Sequence, residues 1–220
     1  MRLWRAWFSC APLVLGALLG AAGEADGDTL YGNDFEKVDA GKEAGELGFV
    51  MIGEGDFRVK LDGQNKVLEL APNPLDSHGF LFGPAETENV LAQARFFGTA
   101  APRRAPVFAI GLGGVGGWML RLQPLRKALE LLKADEVKQS VPYTWTSGTW
   151  TVLAICVRKV RDGAWSIQGK AWEFGKKEPK EWMISFEDNE KPPSGRAGVW
   201  GTPYTGEPIR LDDLLVQRRK

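Results

Sequence analysis

The last strand of the chain most restricts the fold, because its apolar residues change parity within one run. Ile209 and Leu211 lie on one parity, and Leu214 and Val216 lie on the other. Successive side chains of a strand face opposite sides of a sheet, so this shift would turn part of the set toward solvent. One extra residue in the strand returns the later apolar side chains to the same face of the sheet as the earlier ones. We therefore predict a β-bulge at Asp212-Asp213.

Alternation with a period of two recurs along the rest of the chain. Phe57, Val59 and Leu61 alternate with charged residues, and the turn sequence 62–65 separates them from the apolar segment 67–70. This pattern predicts a β-hairpin. About a dozen such segments, with turn signals every ~8–12 residues, predict an all-β antiparallel sandwich.

Two other segments suggest different structures. The glycine run 111–117 matches the first three glycines of a dinucleotide-binding fingerprint. The residues after it, 118–123, alternate with period two and open no helix, so no helix N-terminus is available for a phosphate, and we predict a hairpin turn instead. Residues 125–138 follow Pro124 with helical spacing, so periodicity alone favours a helix there.

Several short motifs resemble those of a known family. Gly195-Arg-Ala-Gly-Val199 precedes Leu211-Asp-Asp-Leu214, Asn33-Asp-Phe-Glu36 stands near the start, and Trp150 begins a Trp-x-x-Leu-x-Ile-x-Val pattern. The chain is thereby similar to concanavalin A-like jelly-roll domains of laminin-G type, in the group that includes bacterial 3-keto-disaccharide hydrolase-like domains. The resemblance implies a two-sheet antiparallel jelly-roll sandwich of the lectin/glucanase type over residues 30–218.

The resemblance also has local consequences. The first strand is expected near the last one, and a Leu-x-Leu-x-Lys strand commonly occupies the place of residues 125–138, which we therefore predict as strand. In sugar-binding members, acids in the positions of Glu36 and Asp212 help to hold a structural calcium ion. Since Ca²⁺ takes clustered oxygen ligands, Glu36 and Asp212 are candidate calcium ligands. The simpler expectation is that the aspartates stabilise the bulge by hydrogen bonding.

The N-terminus indicates the compartment. Arg2 and Arg5 precede an apolar run and small residues, which predicts a cleavable signal peptide over 1–23, followed by a disordered lead-in over 24–29. Cleavage would change 28 basic residues to 26 against 28 acidic ones, and this balance argues against nucleic acid as a partner. We expect a secreted or periplasmic protein, and only Cys156 would remain, which excludes an intramolecular disulfide.

No residue pattern indicates catalysis. Retaining glycosidases need two carboxylates on one face, and no strand carries them at that spacing, so we predict no catalytic residue. His78 is the only histidine and has no cysteine or acidic cluster beside it in the sequence, which argues against a zinc site or a catalytic triad. We include His78 among the candidate sugar-binding residues, with an ordinary loop histidine as the simpler interpretation.

Side chains expected on the solvent-facing side of their strands are candidates for binding a sugar. Trp172 lies on the polar parity of its strand, where a ring can stack on a sugar, and Arg95, Arg121 and Gln123 can donate hydrogen bonds to hydroxyls. Four other tryptophans share a parity with aliphatic neighbours and are expected in the core: Trp118, Trp150, Trp165 and Trp182. The resulting hypothesis is a non-catalytic carbohydrate-recognition domain that binds a glycan or polysaccharide. The alternatives are a saccharide-acting enzyme and a structural module of the bacterial envelope.

Overall fold

The computed structural model describes residues 27–72 and 76–219. The predicted signal peptide and residues 24–26 of the predicted lead-in lie outside this part of the chain, and Thr29 already belongs to the first strand. Within the described residues the fold has fifteen β-strands, with short 3-10 helices at Ala44–Leu47 and Pro124–Arg126. The strands are β1 (Thr29–Asn33), β2 (Val50–Ile52), β3 (Phe57–Asp62), β4 (Asn65–Leu70), β5 (His78–Glu86), β6 (Val90–Phe97), β7 (Val107–Leu112), β8 (Trp118–Gln123), β9 (Ala128–Lys133), β10 (Glu136–Pro142), β11 (Thr151–Arg161), β12 (Ala164–Glu173), β13 (Ile184–Asp188), β14 (Gly195–Thr202) and β15 (Ile209–Arg218).

The strands pair into two antiparallel sheets. Sheet I has the order β13-β12-β11-β6-β15-β4-β3, with β1 beside β15, and sheet II has the order β10-β9-β8-β7-β14-β5-β2. The all-β class and the two-sheet sandwich are therefore confirmed. None of the helices in the described part of the chain combines the length and apolar character that a membrane span requires.

The alternation of the sequence builds the core between the sheets. In β6 the residues Val90, Ala92, Ala94 and Phe96 are buried in the core, while the residues between them face outward. In sheet II, alternate residues of β8 and β9 enter the core in the same way: Trp118, Leu120 and Leu122, and Leu129 and Leu131. Side chains of a strand point alternately to its two faces, so one face of each sheet is apolar and packs against the other.

The predicted bulge is present in β15. Arg95 of β6 pairs with Asp212, but Gln93, two residues earlier, pairs with Leu215, three residues later, so β15 contains one extra residue. Asp213 takes a left-handed backbone conformation, with φ of +50°. The extra residue allows Ile209 and Leu211, as well as Leu214 and Val216, to enter the same core.

Other local predictions are also confirmed. β3 and β4 form the predicted hairpin, and β1 lies beside β15. Residues 128–142 form β9 and β10 and not a helix, because Leu129 and Leu131 enter the core at a spacing of two. The glycine run joins β7 to β8 as a turn. Gly113 has a φ of +85° there, and an added Cβ would lie 2.9 Å from the carbonyl oxygen of Pro193.

The prediction for the tryptophans is only partly correct. Trp118 and Trp165 are buried in the core. Trp150 and Trp182 are half-buried, and each lies against a cationic side chain, Arg95 and Lys170 respectively. Both residues precede their strands, β11 and β13, so the parity of those strands does not fix the direction of their side chains.

Candidate functional site on the outer face of sheet I

The bulge lies where β15 changes its neighbour. On one edge, β15 pairs with β4 through Ile209 to Leu211 and with β1 from Leu214 onward. The Asp212-Asp213 pair therefore falls between the two partner strands. Asp212 is completely buried, whereas the Asp213 side chain is 43% exposed. One carboxylate is thus enclosed by the sheet, and the next one faces solvent.

Arg95 holds both carboxylates. Its Nη2 atom donates to Oδ2 of Asp212 at 2.5 Å, and its Nε atom lies 3.0 Å from Oδ2 of Asp213 at ion-pair distance. Asn65 Nδ2 also donates to Asp212 Oδ2, at 2.8 Å, and the backbone N–H of Asp213 donates to Asp212 Oδ1, at 2.7 Å. Asp212 therefore has partners on both oxygens, as a buried carboxylate requires.

Two aromatic rings enclose the Arg95 guanidinium. The centroid of Trp150 lies 4.9 Å from Cζ of Arg95, and that of Phe174 lies 4.5 Å from it. These are distances at which a cation interacts favourably with the face of a ring. We call Arg95, Trp150 and Phe174 the aromatic clamp. Since Phe174 is 50% exposed, the clamp presents an aromatic surface to solvent.

Burial changes the acidity of the two aspartates. Burial raises the pKa of Asp212 above its ordinary value, against the opposing effects of the Asn65 hydrogen bond and the Arg95 charge. Burial likewise raises the pKa of Asp213, with Arg95 again opposing and the nearby Asp34 carboxylate adding to the increase. The electrostatic effect of Asp34 on Asp213 means that two carboxylates share one small region.

A cleft opens beside the bulge. It has a volume of about 540 Å³ and is lined by Gly32, Asn33, Asp34, Lys37, Gln93, Asp213, Leu214 and Leu215. The turn after β1 forms one wall, in which Asn33 Oδ1 accepts from the N–H of Phe35 and Asp34 Oδ1 accepts from the N–H of Glu36. Carboxylates, amides and an amine thus surround the cleft, which gives it donors and acceptors for a polar ligand.

The structure places the predicted sugar-binding residues on two opposite faces of the sandwich. Arg95 and Trp172 both pair with Val152, so they share the outer face of sheet I. Arg121 and Gln123 face outward from β8 in sheet II, on the opposite side of the sandwich. Arg121 is also bonded to Glu130, through Nε at 3.0 Å and Nη2 at 2.8 Å. One ligand cannot contact both pairs on these opposite faces.

Trp172 lies beside a second cationic contact. Lys170 Nζ is 5.8 Å from the Trp172 ring and 4.7 Å from the Trp182 ring. The same amine forms an ion pair with Glu178 at 2.6 Å and donates to the carbonyl oxygen of Pro179 at 3.0 Å. These contacts hold the loop between β12 and β13 against the outer face of sheet I, next to the half-buried Trp172.

His78 is part of the packing at the start of β5. It is 4% exposed, and the Gly53 to Gly55 segment covers it closely. An added Cβ at Gly55 would lie 2.5 Å from Cβ of His78. His78 does not line the cleft. Its suggested contact with a sugar stays a prediction that this position does not favour.

The predicted calcium ligands do not converge in an obvious metal site. Glu36 Oε1 accepts from the backbone N–H of Lys66 at 2.8 Å, and Asp212 is occupied by Asn65 and Arg95. A guanidinium beside Asp212 also repels a second cation. No group of three or more His, Cys, Asp or Glu residues suited to a metal occurs in residues 27–72 and 76–219. Calcium binding by this pair remains a prediction.

Sequence reasoning missed several residues that form the cleft and the clamp. Phe174 shares the parity of Trp172 and lies two residues beyond it, so the alternation that selected Trp172 could have been extended to it. Asn33, Asp34 and Lys37 reach the cleft only because β1 pairs with β15. Nothing local to residues 33–37 indicates that contact.

Comparison with solved structures places the fold among concanavalin A-like domains. The carbohydrate recognition domain of Emp46p, in a metal-free form, matches with a TM-score of 0.55 and 11% identity over 87% of this chain and 96% of that one. A GH131 β-glucanase catalytic domain from Podospora anserina matches with a TM-score of 0.56 and 11% identity, over 86% and 96% of the two chains. The carbohydrate recognition domain of Emp47p matches with a TM-score of 0.52 and 10% identity, over 90% and 100%.

At these identities the likeness establishes the fold and not the ligand. No protein-family model and no curated protein matches the sequence. The concanavalin A-like jelly-roll architecture is thus confirmed. The finer resemblance to 3-keto-disaccharide hydrolase-like domains stays a prediction.

Proposed function

We propose that the protein is a carbohydrate-recognition domain that binds a glycan in the cleft beside the bulge of β15. The observation that carries the proposal is the position of Asp213, a partly exposed carboxylate that Arg95 orients at the edge of a cleft lined by amides. Carboxylates and amides are the groups that bind sugar hydroxyls, and preformed polar clefts are typical of small-ligand sites.

The aromatic clamp adds a second kind of contact. Phe174 lies on the Arg95 guanidinium and is half exposed to solvent. Because the other groups of the clamp and the bulge fix this ring, it can contact the apolar face of a sugar with little loss of conformational freedom. Trp172, two positions earlier on the same face, supplies a second ring, as the sequence predicted. Two of the structural neighbours are named carbohydrate recognition domains, which agrees with the proposal.

A glycan array with the mature protein tests this function directly. For a glycan that binds, Asp213→Asn should weaken affinity by about 10- to 100-fold, since hydrogen bonds to a charged group contribute about 1.5–3 kcal/mol. The matched control is Asp162→Asn, which removes a carboxylate that is 99% exposed in the β11–β12 turn. Equal affinity of the two variants, with both folded by circular dichroism, would exclude the cleft as the binding site.

One observation favours hydrolysis as a second function. Asp34 and Asp213 line the same cleft; burial raises the pKa of Asp213, and the Asp34 carboxylate adds to that increase, as one carboxylate does to another in acid–base pairs. The neighbouring GH131 domain is a β-glucanase by name. Product release from the glycans that bind, abolished by Asp213→Asn, would assign this function. Binding without release supports recognition alone, and a protein partner without glycan binding would support the envelope-module alternative.

Export is the remaining part of the proposal. The leader over residues 1–23 supports a secreted or periplasmic location. Mass spectrometry of the protein purified from its natural source gives the mature N-terminus. A mature chain that begins after Gly23 is expected, and an intact leader in the purified protein would contradict export by cleavage.

A further inference from the structure

Three loops come together at the end of the sandwich where β6, β8 and β10 finish. Gly148 donates through its N–H to the carbonyl oxygen of Gly98 at 3.0 Å, and Ser147 Oγ accepts from the N–H of Ala100 at 2.7 Å. On the other side, the N–H of Tyr143 donates to the carbonyl oxygen of Lys127 at 2.8 Å. Loop 143–150 therefore connects loops 98–106 and 124–127. We call these three loops the basic loop cluster.

The charge of this cluster has one sign. It contains Arg103, Arg104, Arg126 and Lys127, all exposed, and its sequence includes no aspartate or glutamate. Arg126 lies 3.8 Å from Glu130 in the neighbouring strand. Within residues 27–72 and 76–219, the other three cations have no ion-pair partner. These three cations, with Arg126 partly offset by Glu130, form a local positive field on a protein whose overall charge is zero.

The backbone positions two of these cations at the surface. Ala101 and Arg104 exchange two backbone hydrogen bonds of 3.0 Å, which closes a tight turn with Pro102 and Arg103 at its tip. Arg103 takes a φ of +64° in this turn. The proline and the paired hydrogen bonds hold the turn in one conformation, so the two arginines project from a fixed base.

The side chains between the cations suit a polysaccharide. Thr144 and Thr146 are exposed in loop 143–150, whereas the rings of Tyr143 and Trp145 pack against the core. Hydroxyls exchange hydrogen bonds with sugar units, and guanidinium groups bind carboxylate or sulfate in bidentate geometry. The exposed aliphatic side chain of the cluster, Leu125, offers too little apolar surface for insertion into a bilayer.

We propose that the basic loop cluster is a binding surface for an acidic polysaccharide, one that carries carboxylate or sulfate groups. The surface is separate from the cleft and does not require that the cleft binds a sugar. A ligand held here would contact the cations of the two flanking loops and the threonines between them.

Calorimetric titration with two probes tests the proposal. A hexamer of galacturonic acid and a sulfated heparin dodecasaccharide are compared with cellohexaose as the neutral reference. We expect at least one acidic probe to bind, and binding to weaken when NaCl is raised from about 50 to 200 mM, because salt screens exposed charges. Arg103→Gln combined with Arg104→Gln should weaken the acidic probe about ten-fold, the effect of removing two surface ion pairs.

The control removes the same charge at the opposite end of the sandwich. Arg158→Gln combined with Arg161→Gln changes two exposed arginines at the far end of β11 and should leave the affinity unchanged. Equal losses in the two double variants, or no binding of either acidic probe, would refute the proposal. Binding to vesicles of anionic phospholipid in place of both acidic probes would also refute it.

Asp213→Asn separates this surface from the cleft. The variant should keep full affinity for the acidic probe, whatever it does to a glycan found on the array. If Asp213→Asn removes binding of the acidic probe and the Arg103/Arg104 variant does not, the charged ligand belongs to the cleft, and the proposal for the loops fails while the proposed function stands.

Discussion

Replacing Arg95 with methionine should destabilise the protein by about 3–5 kcal/mol at pH 7, the cost of leaving a buried charge without its partner. Asp212 is completely buried, and Arg95 is its only counter-charge at hydrogen-bond distance in the part of the chain that the structure describes. Asn65 and the N–H of Asp213 would still donate to the carboxylate, which places the expected loss near the lower limit. For a domain of this size, a loss of about 3 kcal/mol lowers Tm by roughly 6–12 °C.

The loss should depend on pH in a defined direction. Burial already raises the pKa of Asp212 in the native protein, and the Arg95 charge opposes that increase. Without Arg95 the pKa rises further above the value of the unfolded chain. The folded state then binds a proton more tightly than the unfolded state, so the variant becomes more stable as the pH falls through the raised pKa. The difference between wild type and variant should therefore shrink between pH 7 and about pH 4.5.

Urea unfolding at both pH values measures the free energy of each protein, with equal m values as evidence of unchanged folded and unfolded states. Arg95→Met combined with Asp212→Asn removes the uncompensated charge and should recover part of the loss at pH 7. Arg158→Met, at an exposed position, controls for the loss of an arginine. A loss below about 1 kcal/mol that is the same at both pH values would show that Arg95 does not compensate a buried charge.

Two further measurements concern the rings and the metal. Trp172→Ala should abolish binding of an identified glycan while Tm stays nearly unchanged. A large fall in Tm for Trp172→Ala would show that this ring is structural. Phe174→Ala should weaken the same binding because its half-exposed ring is lost from the clamp. If Glu36 and Asp212 hold calcium, a chelator should lower Tm, since a ligand of the folded state stabilises it by mass action. An unchanged Tm after chelation would remove the metal hypothesis.

The features that the sequence predicts correctly are local ones, which depend on residues close together in the chain. The parity change at Asp212-Asp213 predicts the bulge because the side chains on both sides of it must enter one core. The hairpin of β3 and β4 follows for the same reason, since alternation and a turn are both local. The prediction that Trp150 and Trp182 lie in the core is wrong because each residue precedes a strand. Outside a strand, the period of two does not fix the direction of a side chain.

The composition of the site depends on pairing between distant segments. Arg95 and Arg121 both face outward by parity, but β6 belongs to sheet I and β8 to sheet II. No pattern within either strand reveals which sheet it joins. Asp34 lies near Asp213 only because the first and last strands pair. A search for carboxylates at a fixed spacing in the sequence therefore cannot identify the cleft.

The bulge explains why a cleft exists at this point of the sheet. β15 leaves β4 after Leu211 and meets β1 at Leu214, so the edge of β15 has no partner strand at Asp212-Asp213. A regular strand would turn one of these aspartates into the core, where a carboxylate without partners is very costly. The extra residue instead lets Asp212 pair with Arg95 and turns Asp213 to the cleft. The same irregularity that keeps the core apolar therefore creates the polar site, and a variant that shortens the bulge should lose both.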